Sequence, residues 1–234
     1  MLPAVHLLRR AALVAIALAV PPFLIGNALL VLAHPWTADA AYALPGFPDP
    51  RIDLGEGERS RLAAVGVRAI QPWRAGGIEA MAQTRLDDGR RAFIAAERRH
   101  FEDVRNLVAL FLSAWAAAVL VILAAAGLGR DRSVLRGGLR AGLYLALGAF
   151  VLTSFLMVVG FSAFFEGIHA ILFEGDTWRL PKRGTARSLY PDAFWRLMGG
   201  AMAALVLAQV AAIVAVMGPQ MRRGDGDAAA GALA

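Results

Sequence analysis

Four stretches of this chain, residues 11–33, 106–128, 141–163 and 197–217, hold no Asp, Glu, Lys or Arg and are dominated by Leu, Val, Ile, Ala and Phe. Each exceeds the roughly 20 residues that a helix needs to cross a hydrocarbon core. Lipid offers backbone N–H and C=O groups no partner, so only helices and closed barrels can span it. These runs are continuous rather than alternating, which selects helices. Of the chain's 234 residues 58% are hydrophobic and 18% charged, and the charge falls between the runs. The expectation is an α-helical integral membrane protein with four transmembrane helices.

The first run is read as an anchor. It is longer than the 7–15 apolar residues of a signal-peptide core, although Ala38-Asp39-Ala40 has the small-x-small form of a cleavage site. Pro21 and Pro22 should kink or loosen it, because each removes a backbone donor and crowds the preceding turn. The layout is then residues 1–34 for the N-terminus and first helix, a polar segment 35–104, the second helix 105–128, a short loop 129–140, and the third helix 141–163. A loop at 164–196, a fourth helix at 197–218 and a disordered tail at 219–234 complete it. The 35–104 segment is long enough for a small α+β cap. Three prolines in residues 44–50 exclude helix there, Ser60–Ile70 can form a short helix with Ser60 as N-cap, and Asp88-Gly89 suits a hairpin turn. A further helix should start near Ala95 and run into the second span.

Charge sets the orientation. Arg9, Arg10, the four arginines of 129–140, Arg222 and Arg223 share one side, which the positive-inside rule makes cytoplasmic. Both termini are therefore expected in the cytoplasm and the cap outside, although five basic residues at 164–196 run against the rule. The net charge of +6 is read as topology and lipid-headgroup contact rather than nucleic-acid binding. The chain has no cysteine, which excludes disulfides, thiol nucleophiles and thiolate metal sites.

Ionisable groups at the edge of an apolar run are costly there and mark function by default. One such group is His169, with Glu166, Glu174 and Asp176 in the loop after the third span. A second is His100, just before the second span, flanked by Glu97 and Asp103 at i−3 and i+3 and so within side-chain reach on a helix. A carboxylate beside an imidazole raises its basicity and fixes its tautomer. Both clusters should lie on the outer face. His34, before Pro35-Trp36, reads as an interface anchor. There is no Gly-x-Ser-x-Gly elbow and no His-Glu-x-x-His, and no ligand spacing argues for a metal or other cofactor.

Taken together, Glu97-x-x-His100-x-x-Asp103-Val104 at the start of one span, His169, Gly175-Asp176-Thr177-Trp178 and Leu189-Tyr190-Pro191 resemble the bacterial lipoprotein intramolecular transacylase family. The chain departs from that pattern at Phe101, where methionine is usual, and at Gly184, where aspartate is usual before the threonine. The resemblance implies four spans with an extracytoplasmic cap in the cell membrane, and membrane lipids and a diacylglyceryl lipoprotein as partners. It implies an acyltransferase that moves the sn-2 acyl chain of diacylglyceryl-cysteine onto the N-terminal amine, leaving a lyso-form lipoprotein. His100 and His169 are then expected as the acid/base pair, oriented by Asp103 and Asp176. Trp178, Glu97 and Glu166 are expected to contact substrate. The alternatives are a non-catalytic membrane scaffold or assembly protein and an outer-leaflet lipid ester hydrolase. A transporter fits poorly, because no charged residue lines a span.

Overall fold

The computed structural model describes residues 2–128 and 132–231. Its helices are α1 (Leu2–Leu32), α2 (Trp36–Tyr42), α3 (Glu56–Ala69), α4 (Gly77–Gln83), α5 (Ala95–Leu128), α6 (Arg132–Leu172), α7 (Thr185–Leu189) and α8 (Asp192–Gly231). Four of them, α1, α5, α6 and α8, are long and apolar enough to cross a membrane. Among the described residues there is no sheet, so the β part of the expected cap shrinks to one bridge, Arg85 with Arg91. That bridge closes the Asp88-Gly89 turn, with Leu86 N–H donating to Arg90 O at 2.8 Å. The residues before it wind into α4 instead of a longer strand.

The chain divides into two compact units. One comprises residues 1–28, 115–150 and 202–234, which are segments of α1, α5, α6 and α8. Its core is Val20, Leu24 and Ala28 of α1 with Leu143 and Ala146 of α6 and Val206 of α8. Gly26 leaves the space that the Trp115 ring fills. Trp115 then donates from its ring nitrogen to Asn27 Oδ1 at 2.9 Å, Asn27 donates to Gln209 Oε1 at 2.8 Å, and Gln209 donates to the carbonyls of Leu24 and Leu205. Every amide group of this chain of contacts has a partner, as a nonpolar surrounding demands.

A kink or loosening was expected at Pro21–Pro22, and α1 stays helical through both prolines. The Ala17 carbonyl, which Pro21 cannot serve as donor, lies against Gly142 of α6, where a Cβ would come within 2.7 Å of it. The break falls instead in α6, at Gly160, whose backbone leaves the helical region. A shorter helical piece follows it and runs on to Leu172, beyond the expected end at 163.

The second unit comprises residues 29–114 and 151–201. Its core joins Leu62, Ala63 and Val67 of α3 to Met81, Phe93, Phe101, Leu189, Tyr190 and Phe194. Helix α3 starts at Glu56 behind Gly55, so Ser60 lies inside the helix and is not its N-cap. Gly66 within α3 makes room for the Tyr190 hydroxyl, which donates to Ala63 O at 2.7 Å. Burial holds the Tyr190 phenol well above its ordinary pKa. Tyr42 donates to Leu189 O at 2.8 Å, and burial pushes its pKa up to about 12 despite the Arg59 guanidinium 4.0 Å from its ring. Arg105 gathers the carbonyls of Ala69, Gln71, Pro72 and Arg74, which fixes the turn between α3 and α4. Helix α8 continues to Gly231 through residues expected as a disordered tail, where Ala228–Ala230 are strong helix formers. The expected loop 129–140 falls partly outside the described residues, at 129–131.

Candidate functional site

All seven residues singled out in the sequence lie in the second unit, and His100 and His169 meet there. Their ring centroids are 6.1 Å apart. His100 sits in the second turn of α5 and His169 in the last turn of α6, past the break at Gly160. Phe173 lies against both imidazoles, 5.1 Å from His100 and 5.4 Å from His169. Phe165 stacks at 4.0 Å on His169 and Trp178 closes over it at 5.3 Å. Two imidazoles are thus enclosed by three aromatic rings, a setting that excludes water from one side of any group held between them.

The carboxylates behave differently from the expectation. Asp176 is exposed and pairs with Arg179 at 3.1 Å, and that guanidinium also lies over Trp178 at 4.9 Å. What orients His169 is its own helix: Nδ1 lies 2.7 Å from the Phe165 carbonyl oxygen. A carbonyl can only accept, so Nδ1 carries the hydrogen and Nε2 keeps the lone pair. Asp103 does not bond to His100; its Oδ2 accepts from the Thr177 hydroxyl at 2.8 Å. Among the described residues, His100 Nδ1 is buried without a hydrogen-bond partner. An orphaned acceptor is tolerated better than an orphaned N–H, which favours the tautomer with hydrogen on Nε2.

Glu97, expected to contact substrate, is 1% exposed and serves the scaffold. Its carboxylate accepts from Ile94 N–H at 3.0 Å and Ala186 N–H at 2.8 Å, which ties the start of α5 to α7 one turn before His100. Burial raises its pKa, opposed by those backbone donors. The same contact explains Gly184: a Cβ there would stand 2.6 Å from Glu97 Oε1, so the aspartate usual in the resembling family does not fit beside this carboxylate. Glu166 is exposed on α6, and Trp178 is the one expected substrate contact that touches a catalytic candidate.

Thr177, Phe165 and Phe173 carried no separate expectation. Only the spacing of Phe165, His169 and Phe173 at i, i+4 and i+8 signalled that they share one helical face.

Comparison with known proteins adds to this geometry. The family model described as lipoprotein intramolecular transacylase Lit matches residues 78–195, half of the chain and the interval that contains all seven residues. An uncharacterised protein of Aquifex aeolicus (strain VF5) is 29% identical over 156 residues, which are 66% of this chain and 68% of that protein. The in meso structure of the membrane-integral lipoprotein intramolecular transacylase Lit from Bacillus cereus superposes with a TM-score of 0.78 over 94% of this chain and 99% of that one, at 15% identity, a likeness of fold. On the family match and this shared architecture, the chain belongs to the lipoprotein intramolecular transacylase family.

Proposed function

We propose that the protein transfers the sn-2 acyl chain of a diacylglyceryl-cysteine lipoprotein to the α-amine of that same cysteine. The amine nitrogen attacks the ester carbonyl, an amide bond forms, the carbonyl–oxygen bond to the glyceryl carbon breaks, and the proton lost by nitrogen ends on the glyceryl oxygen. Acyl count is conserved and no co-reactant is consumed. The observation that carries this reading is the pair of imidazoles 6.1 Å apart within an aromatic enclosure.

An α-amine with an ordinary pKa of about 7.7–8.0 is partly protonated at neutral pH and needs a base. His169 suits that role, since Phe165 O holds Nδ1–H and leaves Nε2 as acceptor. His100, with hydrogen on Nε2, suits donation to the oxygen that gains charge in the tetrahedral intermediate. The imidazolium of His169 then returns the proton to the departing glyceryl oxygen. Attack closes a medium-sized ring through nitrogen, two cysteine carbons, sulfur, two glyceryl carbons, the ester oxygen and the carbonyl carbon. Such rings close poorly in free solution, so holding the folded conformer is the larger part of the task. Trp178 and the phenylalanines offer apolar faces for that purpose.

The arginine distribution supports placing the site at the outer leaflet of the cell membrane with both termini in the cytoplasm. The test is conversion of a synthetic diacylglyceryl lipopeptide by purified protein. The expected product has unchanged mass, with an amide-linked chain and a free glyceryl hydroxyl. His169→Ala or His100→Ala should slow its formation by about 10²–10⁴-fold, the usual worth of a positioned acid or base. Release of free fatty acid instead would identify a hydrolase, and full conversion by either variant would remove that histidine from the mechanism.

A further inference from the structure

The reading above leaves one requirement unassigned: a group that recognises the amine itself. The substrate's reacting nitrogen arrives largely as an ammonium, with three N–H donors and a positive charge, and a carboxylate is its natural complement. Six carboxylates lie near the two imidazoles in sequence, and five are accounted for. Glu97 is buried and held by backbone N–H groups. Asp176 is paired with Arg179. Glu102, Glu166 and Glu174 are exposed.

Asp103 is different. It is half-buried, one helical turn after His100 on α5, and makes no ion pair among the described residues. Arg105, two residues on, is committed to four backbone carbonyls, so it does not neutralise this charge. Thr177 donates to Oδ2 at 2.8 Å, and among the described residues no donor reaches Oδ1. Thr177 also precedes Trp178, whose ring lies 5.3 Å from His169, and follows a turn made by Gly175 at φ +65°. A single hydrogen bond therefore fixes a charged acceptor beside His100 and the aromatic wall of His169 together.

We infer that Asp103, held in place by Thr177, is the binding group for the substrate's α-ammonium, and so the residue that selects a lipoprotein with a free N-terminal amine. This rests on the proposed acyl transfer. The ammonium docks on Oδ1 and loses one proton to water; the second proton, lost as nitrogen attacks, passes to His169 and on to the glyceryl oxygen. The neutral amine keeps an N–H to the carboxylate, which turns its lone pair toward the ester carbonyl. Asp103 takes up no proton; Thr177 is a positioning residue.

The test compares two ligands with an ether in place of the sn-2 ester, so that binding is read without turnover. One is a diacylglyceryl-cysteine lipopeptide with a free α-amine, and the other is its des-amino analogue. The wild-type protein should prefer the amine about tenfold or more, the worth of a hydrogen bond to a charged group. Asp103→Asn should abolish that preference by weakening the amine ligand alone. Thr177→Val should reduce it, and Thr177→Ser should restore it. Equal weakening of both ligands by Asp103→Asn, or a preference that survives it, would overturn the inference while leaving acyl transfer standing. A wild-type protein that does not convert the ester-linked lipopeptide would remove the transfer reaction and this inference with it.

Discussion

At the scale of single residues, the groups proposed to carry the chemistry are distinct from those that build the frame. The histidines were legible in the sequence because an imidazole beside an apolar run has few structural reasons to be there. Their orientation was not, since His169 is held by a backbone carbonyl of its own helix and Asp103 by an uncharged threonine. Reading side-chain charge alone could find neither partner, and it gave an orienting role to Asp176, which pairs with Arg179. Asp176→Asn should therefore leave transfer of a diacylglyceryl lipopeptide within about threefold of wild type, since an exposed pair contributes little. A loss comparable with that of His169→Ala would restore Asp176 to the mechanism. Glu97→Ala should act through structure: it removes the acceptor of Ile94 N–H and strands the buried N–H of Ala186, the latter costing about 1–3 kcal/mol. Thermal unfolding in detergent would show a lowered midpoint; an unchanged midpoint with lost activity would instead make Glu97 a substrate contact.

At the scale of elements, the four long helices were legible because each carries an uninterrupted apolar run, while their ends and breaks were not. A kink or loosening was expected at Pro21–Pro22, yet α1 stays helical through both. The break sits at Gly160, which the sequence shows only as one glycine among apolar residues. The piece of α6 beyond that break carries Phe165 and the proposed base, His169. Gly66 was read as a weakness of α3, and it proves to be the gap that receives the Tyr190 hydroxyl. Gly66→Ala should displace that hydroxyl and destabilise the second unit by about 1–3 kcal/mol, the cost of an unpaired buried polar group, visible as earlier unfolding. In the first unit, Trp115→Phe removes the donor to Asn27 while keeping the Cβ, Cγ and Cδ1 atoms beside Gly26; a loss of about 1 kcal/mol from the hydrogen bond is expected. Unchanged stability in Trp115→Phe would mean that the three-helix amide chain is incidental.

At the scale of the whole molecule, length, apolar runs and cysteine content settled the class, and the family match and shared fold agree with it. Orientation is testable because the chain has no cysteine of its own. Asp88→Cys, at the exposed turn of the Arg85–Arg91 bridge, should react with a membrane-impermeant maleimide on intact cells, while Gly224→Cys should react only after lysis. The reverse pattern would turn the protein over and move the histidines to the cytoplasmic leaflet. The most direct measurement of the central claim is mass spectrometry of a lipoprotein N-terminus from cells with and without this protein. The account predicts an N-acylated cysteine bearing a lyso-glyceryl group that appears with the wild-type protein and is absent with His169→Ala. An N-terminus that stays diacylglyceryl with a free amine in both cases, or that loses an acyl chain outright, would contradict it.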